Sequence, residues 1–245
     1  MSGVLSDRAA VALASTLFIV LEVLSRTRRS YWFLFAVFLA GLVAGTVAAL
    51  REDRRSRGPQ VIVLPVAYVL GVLLFHLIVP RTLVQHLYSA GVSAGFLLLI
   101  ARATEWAYPT WTWLFTSVTF FLFVAGAYGL TFHLRFPLWA TALAVAAITA
   151  ALTYAVVGRA TPERSRRLFW STLIALFLVE LLVVLALLPL SYAAVGGALF
   201  VAFYLLLHLL QKHLYGELAA LRVWEYLGVA SAALVLILAT AEWGV

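Results

Sequence analysis

The chain has no cysteine and a single methionine among 245 residues, and only 11% of its residues are charged. The absence of cysteine excludes disulfides, thiolate catalysis, iron–sulfur clusters and thiol-ligated zinc. The scarcity of charge excludes an ordinary soluble domain, which needs about a quarter of its residues charged. Aspartate occurs only at Asp7 and Asp53, which leaves paired-aspartate magnesium chemistry on lipid phosphates without support. Lys212, the one lysine, lies at a segment boundary, where it is badly placed to hold retinal. There is no His-Glu-x-x-His zinc motif and no glycine-rich phosphate loop. His76 and His86 flank a common turn too closely to face one haem iron comfortably. Accordingly no catalytic residue, metal or other cofactor is assigned.

What fills the chain is hydrocarbon: 65% of the residues are apolar and the mean hydropathy is +1.06. Stretches of about twenty apolar residues match the roughly 30 Å bilayer core at 1.5 Å rise per residue. Nine such segments recur, at about 9–25, 31–50, 60–79, 83–101, 110–132, 136–157, 168–188, 190–210 and 222–241. With no water in the bilayer to satisfy backbone amides, runs this long must be helices, since they lack the alternation of barrel strands. The expected fold is all-α, a polytopic transmembrane helical bundle forming one integral membrane domain over 1–245. Nine spans are preferred, with eight as the alternative if the short first segment lies in the interface. That segment reads as a retained span rather than a signal peptide, because Asp7 sits beside Arg8 before it and no small-x-small cleavage site follows it.

Punctuation fits these bounds. Pro59, Pro109 and Pro137 stand near segment starts, Pro80 and Pro189 stand between segments, and only Pro65 lies inside one, where a kink is expected. Tryptophans 32, 106, 111, 113, 139, 170, 224 and 243 all fall near segment ends, as an aromatic belt requires.

If every segment crosses once, one face receives twelve basic residues, mainly from 51–58 and 158–167, and the other receives five. The positive-inside tendency places the first face, with the N-terminus, in the cytoplasm of a cell membrane. The net charge of +7 therefore belongs to orientation and anionic headgroups, and no nucleic-acid partner is expected. The lipid bilayer is the obligatory partner. The small-residue motifs Gly41–Gly45 and Gly91–Gly95, with Gly196-Gly197, are expected to pack helices within the chain, or else against a second copy or another membrane protein.

Glu180 lies in the middle of an apolar run, where an ionised carboxylate costs about 3 kcal/mol to insert, so it is expected to turn inward and to pair or hold a proton. Glu22 sits at a similar depth if both segments leave the cytoplasmic face. His76, at the outer end of the third segment, and Gln85, His86, Tyr88 and Ser89, at the outer start of the fourth, complete an expected outward-facing polar cluster. A second polar group, His208, Lys212, His213 and Glu217, reads as snorkelling or solvated residues.

Such a cluster points to a small transporter or permease-like protein taking a small molecule, ion or lipid. A noncatalytic membrane subunit that binds a partner protein is the alternative, and an enzyme on a lipid-linked substrate a weaker one.

Overall fold

The computed structural model describes residues 7–26, 40, 41, 43, 44, 46, 47, 60–79, 83–101, 109–158, 160, 161, 163–217 and 220–241. Among them stand eight helices: α1 (Asp7–Arg26), α2 (Gln60–His76), α3 (Leu83–Ala101), α4 (Pro109–Leu134), α5 (Leu138–Val157), α6 (Arg164–Ala186), α7 (Tyr192–Leu214) and α8 (Ala220–Thr240). They correspond to eight of the expected apolar segments. The segment expected at 31–50 lies outside the described residues except at 40, 41, 43, 44, 46 and 47, which are helical.

Six of these helices, α3 to α8, are long and apolar enough to cross a membrane. The apolar parts of the other two are shorter, Ala10–Leu24 in α1 and Ile62–His76 in α2. The architecture is thus an all-α bundle suited to a membrane, in which six helices among the described residues reach spanning length, while most of the segment expected at 31–50 lies outside those residues. Helix α2 continues unbroken through Pro65, which is buried.

Helix ends are built from local chemistry. Ser191 caps α7 by accepting a hydrogen bond from the Ala194 N–H at 3.4 Å. At its other end Gly216 takes φ +71°, its N–H donating to the His213 carbonyl while the Glu217 N–H donates to Lys212. That is a Schellman ending, which satisfies carbonyls the helix leaves open. Arg135, between α4 and α5, holds the same left-handed region at φ 54° without being glycine.

Helix α4 is the most enclosed of the full-length spans, packed against α2, α5 and α7, and α8 is the least enclosed. Its seam with α2 is close because glycine removes side chains from it. A Cβ added at Gly71 would lie 2.9 Å from the Phe123 amide nitrogen, and one added at Gly126 would lie 2.6 Å from that of Phe75. Rising residue numbers pair with rising numbers, so α2 and α4 run parallel. A Cβ at Gly196 would meet that of Ala125 at 2.7 Å, which sets α7 equally tightly on α4. Gly196 thus packs helices as expected, whereas a Cβ on Gly41 or Gly91 would meet nothing within 4 Å and one on Gly95 would meet only the Tyr68 side chain; Gly45 lies outside the described residues.

Helix α1 packs chiefly on α3, and α6 lies between α5 and α7 on the opposite flank. Of the described tryptophans, Trp139 and Trp224 are exposed near the starts of α5 and α8, where an interfacial anchor belongs.

Candidate functional site

The short turn after His76 brings the end of α2 beside the start of α3, and α1 closes the same corner with its last turns. Six of the residues expected to cluster meet there. His86 Nδ1 donates to the Glu22 carboxylate, 2.9 Å from Oε1 and 3.0 Å from Oε2. The imidazole side chain is 54% exposed and the carboxylate 17%, so the pair joins a sheltered anion to a group that water reaches.

One residue earlier on α3, Gln85 turns the other way and is buried. Its amide Nε2 lies 3.2 Å from His76 Nε2. An amide nitrogen only donates, so the imidazole nitrogen accepts, and this contact selects the tautomer of His76 protonated at Nδ1. His76 is 3% exposed, with its ring stacked on Tyr88 at 6.1 Å.

Tyr88 donates from its hydroxyl to the Val72 carbonyl at 2.9 Å, crossing from α3 to α2. Tyr68 does the converse, donating from α2 to the Val92 carbonyl of α3 at 3.0 Å. Two phenols thus tie the antiparallel helices to each other's backbone, each adding about 1 kcal/mol. Sequence reading missed Tyr68, whose hydroxyl has no charge or motif to mark it.

Helical spacing carries the polar character inward. Gln85, Ser89 and Ser93 are all buried and stand four residues apart, on one face of α3 over about 12 Å. The Ser89 hydroxyl donates to the Gln85 carbonyl at 3.0 Å, and Ser93 Oγ has no hydrogen-bond partner among the described residues. Ser93 also lay outside the expected cluster, although its i, i+4, i+8 relation to Gln85 was readable.

Glu180 corrects the expectation. It lies on α6, whose neighbours are α5 and α7, and it is exposed on the outer face of that helix rather than turned into the bundle. The inward face of α6 is filled by Ser171, Ile174, Ala175, Leu178, Leu182 and Leu185. Two residues on from Leu178, the Glu180 side chain is rotated well away from that stripe.

At the far end of the bundle, Lys212 pairs with Glu217 and His213 is exposed, as solvated residues should be. His208 departs from that reading. Its ring lies among Trp113, Tyr204 and Tyr226, with centroids at 5.3, 5.9 and 4.6 Å. Its Nε2 has no hydrogen-bond partner among the described residues.

Among the described residues no group of three or more histidines and acids is placed to hold a metal ion. The corner formed by α1, α2 and α3 instead offers a carboxylate–imidazole pair open to water and a line of amide and hydroxyl groups leading inward, an arrangement suited to holding and passing protons or binding a small polar group.

No curated protein matches the sequence, and no solved structure does. Residues 48–240 match a family described as protein of unknown function, DUF5656, a stretch that takes in α2 to α8, and the chain belongs to that family.

Proposed function

We propose that this membrane protein is a small permease-like transporter that couples to protons at the corner of α1, α2 and α3, with that corner open to the outer aqueous phase. The Glu22–His86 pair carries the reading. A carboxylate that receives the Nδ1 proton orients the imidazole, leaving Nε2 to exchange protons with water. Gln85, Ser89 and Ser93 supply donors and acceptors along α3 toward the bundle centre. Orientation follows the basic residues: the starts of α2 and α6, beside the arginine-rich stretches, face the cytoplasm, and the turn between α2 and α3 faces outward.

Protein reconstituted in vesicles with an internal pH-sensitive dye, under a potassium diffusion potential, tests the reading. The wild-type chain should pass protons above the empty-vesicle rate. Glu22→Gln should lower that flux at least about tenfold, because a neutral amide neither accepts the imidazole proton as a carboxylate does nor releases one. Glu180→Gln, on the opposite flank, should leave it unchanged. A wild-type flux equal to that of empty vesicles, or equal loss in both variants, contradicts the proposal.

A further inference from the structure

His208 is a half-buried imidazole that the outer corner does not use. It stands on α7 six residues before the helix ends at Leu214, and so about 9 Å inside that end. Its level against α4 is set by ring contacts. Phe203 stacks on Phe120 at 4.1 Å and His208 meets Trp113 at 5.3 Å, so the two helices run antiparallel and His208 lies opposite the first turns of α4. Ser117 follows Trp113 by four residues and precedes Phe120 by three, which puts it on the same face of α4, turned to α7. The facing surfaces thus carry one orphan polar atom each. His208 Nε2 and Ser117 Oγ are both buried, and neither has a hydrogen-bond partner among the described residues. Their levels differ by about one helical turn, roughly 5 Å, a separation that one bridging water covers with two hydrogen bonds.

The walls around the imidazole are aromatic. Trp113 from α4 and Tyr226 from α8 stand edge to face with it, at interplanar angles of 62° and 72°, while Tyr204, one turn earlier on α7, lies nearly parallel at 14°. An aromatic face offers no lone pair for an ordinary hydrogen bond from a ring N–H, but its quadrupole attracts a cation. Of the charged groups nearby, Lys212 is one turn on along α7 and is paired with Glu217, and Glu225, beside Tyr226 on α8, is exposed. On the α6 side the ring contact is Trp170 with His213, not with His208. Burial and the Lys212 charge oppose a cation at His208, and the three rings offset that cost. The imidazole can therefore take a proton and release it again.

We infer that His208, with Ser117, is the proton acceptor on the cytoplasmic side of this protein, the far end of the path that begins at Glu22 and His86. The inference rests on the proton-coupled reading and on its orientation, in which α6 starts at the cytoplasm and α7 returns there. Nε2 accepts a proton from water held at Ser117, and the imidazolium returns to the neutral form by giving one to water at the cytoplasmic end.

The emission of Trp113 reads this step, because an imidazolium in contact quenches indole fluorescence. In lipid nanodiscs the Trp113 contribution, taken as wild type minus Trp113→Phe, should fall about twofold from about pH 8 to about pH 5. In a His208→Gln background the fall should vanish. In the vesicle flux assay His208→Gln should lower proton flux about tenfold and Ser117→Ala less, whereas exposed His213→Gln should leave it unchanged. A Trp113 contribution that does not change with pH overturns the inference. So does full flux in His208→Gln where Glu22→Gln has lost it, a result that leaves the outer pair standing. Equal flux in wild type and Glu22→Gln strikes the outer reading instead, and quenching then decides for His208 by itself. The quenching is read on the native imidazole, so the test holds even if His208→Gln folds poorly.

Discussion

Replacing Gly126 with leucine should cost the bundle about 3 kcal/mol or more, the upper range for forcing atoms into a filled interior. The first atom of the new side chain would already lie 2.6 Å from the Phe75 amide nitrogen and 2.8 Å from the Leu74 carbonyl carbon. Both are backbone atoms of α2, so no rotamer change relieves the clash and the helices must separate. Separation is expensive because lipid tails are as apolar as the core. Nothing like the hydrophobic effect then holds α2 to α4, only close packing and hydrogen bonds, and close packing is what the leucine removes. Gly91→Leu provides the contrast, since that position has nothing within 4 Å, and it should change stability by less than about 0.5 kcal/mol. Thermal loss of the monodisperse peak in detergent chromatography reads both. A Gly126→Leu protein as stable as Gly91→Leu would show that α2 and α4 do not touch as described.

The second large effect lies at the Glu22–His86 pair. His86→Leu should destabilise the protein by about 1 kcal/mol, because it removes the imidazole bonded to a carboxylate that is only 17% exposed. The full cost of breaking a buried pair, about 3 to 5 kcal/mol, is not reached, since water reaches this site through the half-exposed histidine. Adding Glu22→Leu should cost less than the sum of the two single variants, because the two side chains bond each other. Proton flux should be lost in His86→Leu and in the double variant. Flux lost while most of the stability is kept separates a functional pair from one that only holds α1 to α3. Flux that persists in the double variant would leave the pair a structural role alone.

These results bear on why some of this protein was readable from its sequence and some was not. Element bounds were legible because bilayer thickness fixes helix length, and because Pro137 and Pro189 mark breaks that the chain must make. The shared level of Glu22, His76 and His86 was legible for the same reason: depth follows from counting residues at a fixed rise. Rotation was not. In water, a helix shows its inner face as an apolar stripe, but here both faces are apolar and the stripe is erased. Glu180 was therefore assigned inward on the assumption that a carboxylate must avoid lipid, when its face is the outer one. The packing glycines escaped for a related reason. Gly71 and Gly126 act across two helices, one from each, so no spacing within either helix announces them, whereas of the spaced pair that drew notice Gly91 meets nothing and Gly95 makes room for the Tyr68 hydroxyl of α2.

Sidedness of labelling tests the account most directly, because it asks at once whether the bundle crosses a membrane and whether the polar corner opens to the outside. His86, at the start of α3, and Arg164, at the start of α6, are both exposed. In sealed right-side-out vesicles, His86→Cys should react with a membrane-impermeant thiol reagent added outside, and Arg164→Cys should react only after the vesicles are opened. Labelling of both from the same side, or protection of residue 86 from both sides, would contradict the account.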